Sequence, residues 1–179
     1  MSRIAYVNGS YVPQSEASVN VEDRGYQLAD GVYEGIAVFK GRLVDCDDHM
    51  DRLERSLHGL RIDLPVSRTN MVMIMERIVR RNHVGNGLVY LQITRGVAPR
   101  NHAFPSEPVR PSLVITANHR RAPSDESVAK GARVITLPES RWSRPDIKTV
   151  SLLPNVLAKQ EAVESDAFEA WFTDVDGLV

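Results

Sequence analysis

A single cysteine, Cys46, stands among the 179 residues. No internal disulfide can form, and a lone thiol suits a reducing compartment, so the expected location is cytoplasmic. Neither sign of charge dominates. The 22 basic and 23 acidic residues leave a net charge of −1, which removes the electrostatic footprint that nucleic acid or an anionic membrane would need in a partner. No apolar run approaches the roughly 20 residues of a membrane span, and the opening "MSRIAYVNGSYV" has no apolar stretch of signal-peptide length; neither a leader nor an anchor is expected. The glycines of "EDRGYQLADGVYEGI" are not spaced as G-x-G-x-x-G, and no P-loop or G-x-S-x-G occurs, which excludes the common nucleotide loops and the nucleophile elbow. His49, His58, His83 and His119 are scattered and form no metal-binding pattern with the one cysteine. Internal repeats and low-complexity tracts are absent as well. What remains is 42% hydrophobic and 25% charged, the composition of a globular enzyme or binding domain with a sizeable core.

Local patterns divide the chain into elements. "RIAYVNGSYVPQ" places Asn8-Gly9 between two short apolar runs, and "GIAVFKGRLVDC" does the same with Lys40-Gly41; both predict two-residue hairpin turns. "DCDDHMDRLERSLHGLRI" sets His49, Met50, Leu53, Leu57 and Leu60 on one helical face, with Asp45 or Asp47 available as N-cap. A second helix follows, with Met71, Ile74, Met75, Ile78 and Val79 at helical spacing. "GLVYLQITRG" and "PSLVITAN" read as strands separated by a loop with four prolines, too many for ladder hydrogen bonding. A polar stretch over residues 119–129 marks a domain boundary. Beyond it "ARVITLPES" predicts a strand, "NVLAKQEAVESDA" a helix with Val156, Leu157, Ala162 and Val163 on its apolar side, and "EAWFT" a strand that turns at Asp176-Gly177 into a two-residue return arm. Such a hairpin leaves its first arm uncovered, which is the reason to expect that the chain is part of a longer one.

Several residues could carry chemistry. Lys148 sits in an extended, β-branched context beside Arg141 and Arg144, where desolvation and positive charge would activate an amine; an edge-strand lysine facing solvent gives the same pattern. Lys159 fits the polar side of a helix near Glu161 and Glu164. Arg100 and His102, two apart in a proline-flanked loop, could grip a carboxylate or simply face solvent. Arg52, between Asp51 and Glu54, is a phosphate ligand or a member of a solvated helix face. Tyr33 could point a phenol into a cleft or lie half-buried in its strand.

Taken in order, "YVNGSYV", "EDRGYQLADGVYE", "HMDRLERSL", "YLQITRGVAPRNHAFP" and "RWSRPDIKTVSLLPNVLAKQEA" resemble the fold type IV pyridoxal-phosphate enzymes, the group that holds D-amino-acid aminotransferases, branched-chain aminotransferases and aminodeoxychorismate lyases. "TRGVAPRNHAFP" looks most like the D-amino-acid branch. The resemblance implies an α/β (α+β) fold in two domains: a small N-terminal α/β domain over 1–120, a linker over 121–129, and over 130–179 the first part of a β-rich C-terminal cofactor-binding domain. It implies pyridoxal 5'-phosphate as cofactor. Lys148 is similar to the lysine that forms the Schiff base with it and shuttles the substrate proton, and Arg52 to the arginine that holds its phosphate. Tyr33, Arg100 and His102 match the group that traps the substrate carboxylate, with the Arg/His loop reaching in from a neighbouring subunit, so a homodimer is implied. The implied reaction moves amino groups between D-amino acids such as D-alanine and 2-oxo acids such as 2-oxoglutarate. Branched-chain L-amino-acid transfer, aminodeoxychorismate cleavage and a non-catalytic remnant are the alternatives. In the family, the carboxylate at the pyridine nitrogen and the rest of the phosphate site lie beyond the counterpart of Val179. The expectation is therefore a chain about 100 residues longer, and little activity from these 179 residues alone.

Overall fold

Turn chemistry sets the edges of the first sheet. In the computed structural model, which describes residues 3–179, Asn8 (φ 48°) and Gly9 (φ 107°) join β1 (Ile4–Val7) to β2 (Ser10–Pro13). A short helix, α1 (Arg24–Leu28), precedes β3 (Gly31–Phe39), and Lys40 (φ 49°) with Gly41 (φ 75°) turns β3 into β4 (Arg42–Leu43). Both hairpins are those the sequence predicts, because two successive positive φ values match the twist of the strands they join. The helices α2 (Cys46–Leu60) and α3 (Arg68–Arg81) follow, then β5 (Gly87–Thr94) and β6 (Ser112–His119). The six strands form one antiparallel sheet in the order β2-β1-β6-β5-β3-β4.

Alternation sends Val32, Ile36, Val38, Val89, Leu91, Ile93, Leu113 and Ile115 to one face, where they meet Met50, Leu53 and Leu57 of α2 and Met71, Met75 and Ile78 of α3 in a single core. The heptad-like spacing of those helical residues is thus used as the sequence predicts. The capping is not. Asp45 occupies the N-cap position of α2 in the left-handed region (φ 50°), and its side chain accepts no capping hydrogen bond. The ordinary N-cap geometry aims the side chain at the first turn from extended backbone. Ser67 does have that geometry at α3, accepting from Asn70 N–H at 3.3 Å. Replacing Ser67 by alanine is expected to destabilise the protein by about 1 kcal/mol, read as a lowered midpoint in a urea titration.

The chain separates into two units. The first ends at Arg121 and also contains Asp146–Val150; the second holds Ala122–Pro145 and Ser151–Val179. The second unit begins with the short α4 (Asp125–Lys130), inside the stretch expected to be a linker, because Ser124 caps it through Ser127 N–H at 3.1 Å. It continues with β7 (Val134–Pro138), α5 (Leu153–Glu164) and β8 (Glu169–Thr173). β8 does not open a hairpin, as the sequence led us to expect: it pairs parallel with β7, from Val134↔Glu169 to Pro138↔Thr173. Parallel pairing needs a crossover rather than a tight turn, and the connection containing α5 provides it. The turn at 174–177 exists, closed by Gly177 N–H on the Asp174 carbonyl at 3.1 Å, but no return strand follows among the described residues. Nor is the apolar side of α5 covered as predicted. It buries Ala158 and Ala162, whereas Val156, Leu157 and Val163 stay exposed. No helix among the described residues is long and apolar enough to cross a membrane.

Candidate functional site

Residues 146–150 return to the first unit as an extended segment against β3. The segment is not the strand its β-branched composition predicts, since only Thr149 forms a bridge, antiparallel to Val32. It lies on the edge of β3 that faces away from β5. Tyr33 N–H donates to the Lys148 carbonyl at 3.0 Å, and Val150 N–H and Thr149 Oγ1 donate to the Gly31 carbonyl, each at 3.1 Å. On the helix side, Lys148 N–H donates to Ser56 Oγ of α2 at 3.2 Å. Gly59 makes this approach possible: a Cβ there would come within 2.9 Å of Ile147 Cδ1. Ile147 and Thr149 are buried, so alternation turns Lys148 the other way.

It turns to Tyr33. Lys148 Nζ donates to Tyr33 Oη at 3.1 Å and lies 4.2 Å from the ring centroid, so the half-buried amine is held by hydroxyl and ring together. Tyr33 in turn stacks on Tyr90 with centroids 5.7 Å apart. Burial first, and Tyr33 second, push the Tyr90 phenol above its ordinary pKa. Tyr90 donates to Gln92 Oε1 at 2.7 Å, and Gln92 stands opposite Tyr33 in the β3/β5 register.

Arg52 is one turn ahead of Ser56 on α2, so the helix face that anchors the Lys148 backbone also carries this guanidinium. Its Nε and Nη2 fork onto the two oxygens of Glu34, both at 2.7 Å. Its side chain is 41% exposed, and Nη1 has no hydrogen-bond partner among the described residues. Hydrogen bonds to Glu34 chiefly, and the Glu34 and Tyr33 charges less, overcome burial and raise the pKa of Arg52 above the usual guanidinium value. Asp51, the neighbour of Arg52 on α2, pairs with Arg68 of α3.

Glu34 is the residue that sequence reasoning missed. It is fully buried, on the core side of β3, and its Oε2 also accepts from His49 Nδ1 at 2.8 Å. An ionised carboxylate only accepts, so that ring nitrogen carries the hydrogen. Burial pushes the Glu34 carboxyl up, but the hydrogen bonds and charges of Arg52 and His49 win and hold it below its ordinary value. Its signal is present in "GVYEGIAVF": Val32, Ile36 and Val38 share its parity, so an acid interrupts a core-facing row and must have a partner.

Arg100 and His102 are exposed, and neither hydrogen-bonds to Tyr33, Arg52 or Lys148. Arg141, which the sequence suggests as a charge near Lys148, belongs to the second unit and forks onto Glu139, whose carboxyl it holds down to about 2, mainly through side-chain hydrogen bonding. Lys159 donates to the Phe168 carbonyl and lies 3.5 Å from Glu169, which is a structural role. No cluster of His, Cys, Asp and Glu with metal-binding geometry occurs among the described residues.

The family model for class IV amino-transferases matches residues 31–179. The chain is similar to the D-alanine aminotransferase of Staphylococcus epidermidis, 40% identical over 165 residues that make up 92% of this chain and 58% of that protein. With the D-alanine aminotransferase of Listeria monocytogenes it shares 41% identity over 167 residues, 92% of this chain and 57% of the relative. Among solved structures, the T.th. branched-chain amino acid aminotransferase with pyridoxamine 5'-phosphate matches its fold with a TM-score of 0.85 at 24% identity, over 99% of this chain and 61% of that one. The chain thus spans about three fifths of the length of the proteins it matches.

Proposed function

From the membership of this chain in the class IV aminotransferase family, we propose that it carries the amine and phosphate grip of a pyridoxal-phosphate-dependent D-amino-acid aminotransferase, acting on D-amino acids such as D-alanine and on 2-oxo acids such as 2-oxoglutarate. The observation that carries the reading is the placement of Lys148 Nζ at 3.1 Å from Tyr33 Oη, with its backbone fixed to the turn of α2 that follows Arg52. The donor set fits the cofactor: a half-buried primary amine for its aldehyde carbon and a guanidinium with an unengaged Nη1 for its phosphate. When bound, pyridoxal phosphate supplies an electron sink that makes the substrate α-hydrogen acidic.

The residues of this chain supply the rest. Lys148 Nζ would act as the base that moves the proton at the substrate α-carbon, held in place by its own fixed backbone. Tyr33 Oη keeps that nitrogen aimed and places a hydroxyl where a substrate carboxylate can be received. Glu34 and His49 hold the fork of Arg52 in one orientation, so the phosphate end does not wander while the proton moves. Arg100 and His102 complete the carboxylate grip from a second copy of the chain, which makes the active form a homodimer; their exposure leaves them available for that role.

Two measurements test this. Pyridoxal phosphate added to the protein should give a visible absorbance band that borohydride traps on Lys148. Replacing Arg100 and His102 together by leucine should lower kcat/KM for D-alanine by about 10²–10³-fold, two charged hydrogen bonds' worth, with the cofactor band unchanged. Equal use of D-alanine by that double variant, or preference of the unsubstituted protein for L-leucine, would move the assignment to a branched-chain activity.

A further inference from the structure

Between β5 and β6 the chain runs through residues 95–111 without secondary structure beyond a single bridge, Asp23↔Val97, yet the loop is tied down by buried charge. Arg24, the first residue of α1, is 3% exposed. Its Nε donates to Asp30 Oδ2 at 2.8 Å, and its Nη1 donates at 2.6 Å to the carbonyl of Asn101, the peptide group that leads into His102. Asp30 is shared. It also accepts Nε and Nη2 of Arg95 at 2.7 and 2.9 Å, and the Arg95 guanidinium lies 3.8 Å from the centre of the Phe104 ring. One carboxylate therefore orients two guanidiniums, and these grip the loop at residues 101 and 104, on either side of His102. Burial pushes the Asp30 carboxyl up, and Arg95 and Arg24 more than reverse it, so the hub is ionised. The ends of the loop are pinned as well: Gly96, at φ 106°, lets the Arg110 carbonyl come within 2.1 Å of where a Cβ would stand.

A buried arginine is a costly way to anchor a surface loop when hydrogen bonds to water would do, and long unstructured loops that are nonetheless held usually bind something. We infer that Arg24, fixed by Asp30, is a positioning residue that presents Arg100 and His102 as a prearranged carboxylate grip, with Arg95 and Phe104 holding the far side of the same loop. The inference builds on the role proposed above for Arg100 and His102. A grip ordered in advance binds without the entropy loss of ordering the loop, so the clamp acts on substrate affinity and on discrimination between enantiomers.

The test is the full-length protein loaded with pyridoxal phosphate and carrying Arg24→Met. KM for D-alanine should rise by about 10-fold or more, from loss of one charged hydrogen bond and of loop order, with kcat within about threefold and the cofactor band unchanged. Amide hydrogen exchange over residues 98–105 should speed up, and Arg24→Lys, which cannot reach both Asp30 and Asn101, should not restore KM. Because Arg24→Met removes a buried charge and could fail to fold, Phe104→Ala is the second variant: it removes a half-exposed ring and should raise KM about threefold. An unchanged KM in either folded variant, or unchanged exchange over 98–105 in Arg24→Met, would overturn the inference while D-alanine turnover stands. Absence of D-alanine turnover in the unsubstituted full-length protein would instead remove the role of Arg100 and His102, and this inference with it.

Discussion

Replacing Lys148 by alanine in the full-length protein is expected to lower D-alanine turnover by at least about 10³-fold, the loss that follows when the base proposed for the proton transfer is deleted. The structure makes this a clean deletion. The backbone of residue 148 does the structural work, donating to Ser56 Oγ at 3.2 Å and accepting from Tyr33 N–H at 3.0 Å, and alanine keeps both bonds. The side chain contributes one hydrogen bond, to Tyr33 Oη, and a contact with the Tyr33 ring, and it is only half-buried where Ile147 beside it is buried. The variant should therefore fold with near-normal stability, bind pyridoxal phosphate without a covalent link, and recover part of its rate when a small primary amine is added to the assay. Lys159→Ala is the control, since that ammonium holds a carbonyl and a carboxylate of its own unit. Turnover by Lys148→Ala within tenfold of the unsubstituted protein would assign the proton transfer to another group.

How much of this can be read beforehand depends on the range over which each interaction acts. The hairpins at Asn8-Gly9 and Lys40-Gly41 and the apolar faces of α2 and α3 are local, written in two to fifteen adjacent residues, and they appear where the sequence puts them. The parallel pairing of β7 with β8 joins residues about 35 apart through α5, and nothing in "EAWFT" distinguishes an arm of a hairpin from a crossover strand. Asp45 is a natural cap by residue type, but its backbone is left-handed, and residue type does not report φ.

The site divides the same way. The role proposed for Lys148 is reached only through resemblance, because its setting comes from two distant places in the chain: Tyr33 of β3, and Ser56 with Gly59 of α2. Nearness in sequence also misleads at one point. Arg141 suggests a positive field at Lys148, yet its nearest acid, Glu139, is two residues away and captures it. Glu34 lies within reach of sequence reasoning, since strict alternation in β3 sets an acid among Val32, Ile36 and Val38, and a buried carboxylate requires donors, which Arg52 and His49 on the covering helix supply.

Glu34 is for that reason the position where the second large effect is expected. Glu34→Gln keeps the shape but removes the charge that Arg52 and His49 both face. Breaking a buried ion pair typically costs 3–5 kcal/mol, and the partly open setting of Arg52 places this case near the lower end, at about 3 kcal/mol. The pH dependence separates lost charge from lost packing. The folded-state pKa of Glu34 lies below the ordinary value of 4.5, so its contribution is fully present above that value and disappears as pH falls through the folded pKa. Unfolding followed across pH should show the gap between unsubstituted protein and Glu34→Gln widest near neutrality and closing below about pH 4.5, where the unfolded chain's carboxyl takes up its proton. Glu34→Gln keeps some acid sensitivity even so, because Asp30, held down by Arg95 and Arg24, acts in the same direction. With its orienting partner weakened, Arg52 should also hold pyridoxal phosphate about tenfold less tightly, one charged hydrogen bond's worth. A stability gap that stays constant from neutral to strongly acidic solution would mean that Glu34 matters for its volume in the core, and that Arg52 is oriented by something other than this carboxylate.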